Sequence, residues 1–273
     1  MSTSSTPAPS TAPAPSRRER LRAQTVGEIK ATATRHMSDG GVAALSLRAI
    51  ARDMGMTPGA LYNYFDTRDD LLTALIADVY DALAKRLDAA RDTRPADDTA
   101  GRLRAHALAY RQWAVTASQE FRLLYGDPAP GYAAPPGSIA AAAEHRVCLG
   151  LLGLVAAAWP QAGPLQSRPG HKWSAFNADF VALARRDHPE LPPAAVALTL
   201  RVWGRLHGLV SLEVYGQLTP ETDDPERVYE DEIWDLTRTL GLEPQNPGIP
   251  GKSGKPGKPG EPGEPGEPGE PGK

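Results

Sequence analysis

The chain has a single cysteine, Cys148, among 273 residues, so no disulfide can form within it and a reducing compartment is the expectation. Long hydrophobic runs are missing as well. The longest, 147–159, is about 13 residues, too short to cross a bilayer, and no apolar signal-peptide core opens the chain. These absences point to a soluble, cytoplasmic protein with no membrane partner. Alternating apolar and polar runs joined by hairpin turns are scarce, which argues against a β fold. No nucleophile–base pair, phosphate-cradling loop or Gly-x-Gly-x-x-Gly run is found, which argues against an enzyme and against a bound nucleotide cofactor. His145 and Cys148 share a helical face beside Glu144, but two ligands without a third do not make a metal site, so none is expected.

Glycine and proline are plentiful, 26 and 27 residues, but they are concentrated at the ends. From Gly248 to Gly272 a glycine falls at every third position, nine in all, with seven prolines. This is the collagen period, in which only Gly fits the axis of a triple helix. Eight such triplets without assured proline hydroxylation are weak, so 243–273 is read as an extended, disordered tail, with a real triple helix as the alternative. Another four prolines lie in the first 15 residues, and 1–16 is read as a second disordered tail. Between the tails remain about 230 residues, enough for a substantial core.

Hydrophobic content of 41% and a net charge of −3 exclude disorder of the whole chain. The charge is uneven. Residues 1–65 carry eight Lys and Arg against four Asp and Glu, a net +4 that leaves −7 for the rest. A basic front on an acidic body suits a polyanionic partner met by the front alone.

Ala, Leu and Arg recur at helical spacing almost throughout, and the predicted fold is all-α. A first helix over 17–36 stops at Gly40-Gly41. Ser46 caps a second with Leu47, Ile50, Ala51 and Met54 on its apolar face. Gly55 breaks it, and Thr57-Pro58 opens a short third helix through Phe65. Thr67 caps a fourth that runs past Leu83. Further helices are expected over 98–125, 138–159, 173–186, 192–218 and 225–241, with breaks at 126–131 and 160–170.

Residues 46–65, SLRAIARDMGMTPGALYNYF, spell a helix, a glycine turn and a second capped helix. That is the helix-turn-helix arrangement, which sets its second helix in a DNA major groove. Gly55 suits the tight turn, Ala51 the close crossing, and Leu47, Ile50, Leu61 and Phe65 a small core. The N-terminus at Thr57 offers backbone N–H groups to a phosphate. Tyr62 and Tyr64 add hydroxyls, Asn63 an amide, and Arg48 and Arg68 charge on the flanks. Pro58 and Gly59 carry no side-chain donors, so readout at that tip is apolar. Arg17, Arg18, Arg20 and Arg22 serve either as a phosphate or minor-groove arm or as a solvated helix start.

The run from Ser46 to Leu75, SLRAIARDMGMTPGALYNYFDTRDDLLTAL, resembles the DNA-binding domain of the TetR family of bacterial transcriptional regulators, over about 17–83. YRQWAVTASQEFRLLYGDPAPGY (110–132) and WGRLHGLVSLEVYGQL (203–218) are similar to the ligand-binding domain of the TetR subgroup known for a Trp-His-Gly motif. The resemblance implies that Arg48 reaches a base edge or a phosphate, that Tyr62 and Tyr64 touch the DNA backbone, and that Arg68 binds phosphate.

It also implies a helix-turn-helix domain over 17–66 and a helical ligand-binding and dimerisation domain over 67–242. The helix over 192–218 is apolar on more than one face, and Gly204 and Gly208 lie four apart on one side of it. With Val228 and Trp234 of the next helix they are the candidate dimer interface. Tyr110, Trp113, Phe121, Tyr125, Trp159, Trp173, Phe176 and Trp203 either line a ligand cavity or fill the core, and His207 is either a ligand contact or a satisfied core or interface group. The expected protein is a homodimeric repressor of a palindromic operator in double-stranded DNA, answering to an unidentified small-molecule effector. An assembly protein trimerised by its tail and a helical enzyme using the cavity are the rival readings.

Overall fold

The computed structural model describes residues 16–126, 132–166 and 170–242. The tail assignments over 1–15 and 243–273, and most of the expected loop at 126–131, lie outside them. Ten α-helices and no strand occur among the described residues.

Helix α1, Arg17–Gly40, starts at a capping box in which Ser16 and Glu19 satisfy each other's backbone N–H. It ends at Gly41, whose φ of 67° fits glycine. Helices α2, Leu47–Asp53, and α3, Pro58–Tyr62, are capped by the side chains of Ser46 and Thr57. Gly55, at φ 65°, reverses the chain between them. Leu47, Ile50, Ala51, Leu61 and Phe65 are buried together, as their spacing predicts. The third helix is shorter than expected, stopping at Tyr62 rather than Phe65.

Helix α4, Arg68–Arg91, belongs to two cores. Leu71, Leu72 and Leu75 pack with Ile29, Ile50 and Leu61 in the head, whereas Leu83 and Leu87 pack with the body. The body consists of α5 (Thr99–Thr116), α6 (Ser118–Tyr125), α7 (Ile139–Ala162), α8 (Ala178–Asp187), α9 (Pro193–Val214) and α10 (Pro225–Thr239). Its core joins Leu103, Tyr110, Leu154, Leu206, Tyr229 and Ile233. Helix α7 is long and apolar enough to span a membrane, but Leu151, Leu152, Leu154 and Val155 are buried in protein contacts here.

Two further differences from expectation have a visible cause. The helix predicted over 98–125 bends at Ala117 without glycine or proline; the Thr116 hydroxyl donates to the Gln112 and Trp113 carbonyls there. The bend brings Phe121 against Trp113, with ring centroids 6.0 Å apart. Conversely, α7 runs through Pro160 to Ala162. A proline so near the helix end removes one hydrogen bond without stopping the chain.

Candidate DNA interface and ligand cavity

The head keeps its donors outward. Arg48 is exposed and makes no hydrogen bond or ion pair among the described residues. Thr57, Pro58, Gly59 and Asn63 are exposed, and Tyr62 is 41% exposed. Tyr64 is half-buried, because the Arg22 guanidinium lies 5.0 Å from its ring centroid and donates to the Asn63 carbonyl at 3.1 Å. Arg22 therefore fastens α1 to the end of α3 instead of acting as a free arm.

Arg68 also departs from expectation. Its Nε donates to the Leu45 carbonyl at 3.1 Å and Nη2 to the Val42 carbonyl at 2.9 Å. Nη1 faces the Asp69 carboxylate at 3.4 Å. Rather than a free phosphate ligand, Arg68 is a clamp holding the start of α4 to the turn before α2.

In the body, a cavity of about 170 Å³ lies among α4 to α9. Tyr80 and Leu87 of α4, His106 and Tyr110 of α5, and Tyr125 of α6 form one side. Val147, Cys148 and Leu151 of α7, Phe180 of α8 and Thr199, Leu200, Trp203 and Leu206 of α9 form the other. Glu144, the one charged side chain of the lining, is exposed. Burial keeps the phenols of Tyr80, Tyr110 and Tyr125 protonated. Burial likewise pushes the Cys148 thiol up to about 11, so it stays protonated at neutral pH.

His106 is 5% exposed, and its Nδ1 has no hydrogen-bond partner. Burial first, and then the Arg91 charge, lower its pKa from 6.5 to about 4. Below pH 6.5 the unfolded chain takes up a proton that the folded chain refuses, so stability falls as pH drops from 6.5 towards 4. Between pH 7.5 and 5 the loss from this group is on the order of 2 kcal/mol. His106→Leu is expected to flatten that part of the profile in urea titrations at the two pH values.

A wider depression of about 410 Å³ is lined by Leu165, Gln166, His171 and Arg201. Gln166, His171, Arg201 and Thr239 make its lining the more polar of the two, and the buried unpartnered His106 belongs to the aromatic cavity, so that smaller cavity is the better binding site despite its size.

The sequence of the head matches the family model for bacterial regulatory proteins of the tetR family over residues 29–75. The body matches the tetracyclin repressor-like C-terminal domain over 103–236. An HTH-type transcriptional regulator of Mycobacterium tuberculosis is 37% identical over 201 residues, 74% of this chain and 85% of that protein. The same figures hold for one of Mycobacterium bovis. The chain belongs to the TetR family of bacterial transcriptional regulators. The crystal structure of a candidate regulatory protein superposes on this TetR-family regulator with a TM-score of 0.63 at 37% identity, covering 81% of this chain and 98% of that one. A Rhodococcus protein of unknown function shares the fold, with a TM-score of 0.55 at 23% identity over 79% of this chain and 92% of its own.

Of the aromatic residues expected at the regulator's cavity, Tyr110, Tyr125 and Trp203 line it. Trp113 and Phe121 lie behind it, 3% and 0% exposed. His207 is the hub of that second layer. Its Nδ1 pairs with the Tyr110 hydroxyl at 2.7 Å and its Nε2 with the Ser211 hydroxyl at 3.1 Å, while Phe121 and Trp203 stack on its ring. Both nitrogens are thus engaged within the protomer, and the side chain is half-buried. Trp159, Trp173 and Phe176 do not line the cavity, although Trp173 and Phe176 share a hydrophobic cluster with its Phe180 and Cys148. Trp159 packs on Gly163, Trp173 on the Arg185 guanidinium, and Phe176 on His171.

Sequence reasoning missed Tyr80, His106, Phe180 and Thr199, and considered Glu144 and Cys148 only as metal ligands. The available signal was helical spacing: 106 and 110, 144, 147, 148 and 151, and 199, 203 and 206 each follow one face.

Proposed function

We propose that this TetR-family regulator is a cytoplasmic homodimer that represses transcription from a palindromic operator and releases it when a small molecule fills the aromatic cavity. The observation that carries this reading is the double membership of α4. Leu71, Leu72 and Leu75 anchor one end of it in the DNA-reading head, and Tyr80 and Leu87 of the same helix border the cavity. A ligand that favours a different position of Tyr80 and Leu87 moves the head as well. It lowers operator affinity by as much as it prefers that second conformation.

The dimer rests on the outer face of α9 and α10. Leu200, Trp203, Leu212, Val228 and Trp234 are each 38–47% exposed, and nothing lies within 4 Å of where a Cβ would stand at Gly204 or Gly208. Two such faces related by a two-fold axis make a four-helix interface that hides the apolar stripe. Leu200 and Trp203 belong both to this face and to the cavity wall, so ligand and interface share side chains.

Footprinting on the DNA beside its own gene, with and without candidate ligands, tests the whole reading. Protection that no ligand weakens would remove the ligand-responsive part, and no protection at all would remove the operator. Arg48→Ala is expected to lower the preference for the operator over random DNA by about 1–3 kcal/mol, as loss of a bidentate arginine–guanine contact does. Uniform weakening on every sequence would instead make Arg48 a phosphate contact.

A further inference from the structure

The ligand cavity combines a greasy wall with a buried polar side chain left without a partner. Leu87, Leu151, Phe180 and Leu206 supply apolar surface, whereas the His106 imidazole on α5 borders the same space, almost wholly buried and joined to no hydrogen bond among the described residues. Two other polar lining groups are occupied. Tyr110 is bonded to His207 at 2.7 Å, and the Thr199 hydroxyl donates to the Ala195 carbonyl at 2.9 Å. A buried donor or acceptor left unpaired costs about 1–3 kcal/mol, which a ligand group that pairs with it recovers.

Charge and size narrow the chemistry. No Lys or Arg lines the cavity, and its one carboxylate, Glu144, is exposed. Nothing there balances a buried carboxylate or phosphate on the ligand. An ammonium group fares no better at the His106 end, where Arg91 is the charge that the imidazole feels. An apolar protein cavity of about 150 Å³ admits benzene, so about 170 Å³ here takes a molecule built on one six-membered ring.

We propose that the effector is an uncharged monocyclic alcohol or phenol whose hydroxyl hydrogen-bonds to the His106 imidazole while its ring packs between Tyr110, Tyr125 and Phe180. This rests on the ligand-responsive reading above and adds the ligand's class and the residue that selects it. A neutral imidazole carries one N–H and one lone pair, so it can either accept from such a hydroxyl or donate to it. The ring without the hydroxyl leaves His106 unpaired, and a site built around a hydrogen bond discriminates strongly against the analogue that lacks it.

The test is isothermal titration of the full-length protein with p-cresol, toluene, benzoate and benzylamine at one neutral pH. p-Cresol is expected to bind at least tenfold more tightly than toluene, with the two ions weaker still. In His106→Leu the gap between p-cresol and toluene should close. In His106→Gln, which keeps a hydrogen-bonding group and guards against a folding defect in the leucine variant, a preference for p-cresol should remain. Equal affinity of the wild type for p-cresol and toluene, or tighter binding of benzoate or benzylamine, would overturn the assignment while leaving a ligand-binding regulator. Absence of binding by all four at millimolar concentration would overturn the cavity as a ligand site and the ligand response with it.

Discussion

Replacing Arg111 with alanine is expected to destabilise the body by about 3 kcal/mol or more, the cost of stranding one member of a largely buried ion pair. Its Nε and Nη2 donate to the two carboxylate oxygens of Glu213 at 2.8 and 2.7 Å. Both side chains of that pair are 13% exposed, and Nη1 reaches Glu226 at 3.2 Å. One guanidinium thus ties α5, the helix that also carries His106 and Tyr110, to α9 and to the first turn of α10. Once Arg111 is gone, the Glu213 carboxylate loses its bidentate partner while staying largely buried. The double variant Arg111→Leu, Glu213→Leu should recover most of the loss, because the buried charge disappears along with its partner. Urea denaturation of the two variants measures both. A single variant that melts like the wild type would mean that water reaches Glu213 freely.

How far these features can be read from the chain depends on how local their cause is. The caps at Ser46, Thr57 and Thr67 and the turn at Gly55 involve partners within three or four residues, so the helix-turn-helix is legible almost residue by residue. Arg22 and Arg68 are legible as charges but not as clamps. Their acceptors, the carbonyls of Asn63, Leu45 and Val42, are 41, 23 and 26 residues away, and only the folded head presents them. The cavity is less legible still. Its wall comes from six helices, and His106 stands alone among Ala and Leu on α5 with no motif around it. Aromatic side chains draw attention in a sequence, yet a Trp such as Trp159 satisfies itself on a neighbouring glycine, whereas the residue left without a partner is an inconspicuous histidine. The bend at Ala117 has the same origin. Packing of Phe121 on Trp113 and His207 rewards a break that the local sequence does not announce.

Gly204→Arg is expected to give a folded monomer with at least a hundredfold weaker operator binding. A glycine inside a helix costs about 1 kcal/mol relative to alanine, and α9 carries two of them, four residues apart. Nothing within the protomer requires either, since an added Cβ at Gly204 or Gly208 meets no atom within 4 Å. In the proposed dimer the requirement comes from the second copy, packed closely against α9 beside the exposed Leu200, Trp203 and Leu212. Arginine at position 204 keeps α9 helical and soluble but holds the second copy away. Thermal unfolding of the protomer should therefore be unchanged or slightly improved while light scattering reports one chain. Operator affinity falls because two half-sites are no longer engaged by one linked pair of heads, and such linkage is worth about 10²–10⁴ in apparent affinity. A variant that stays dimeric and binds DNA as before would place the interface elsewhere. One that unfolds would mean that α9 has a partner within its own chain.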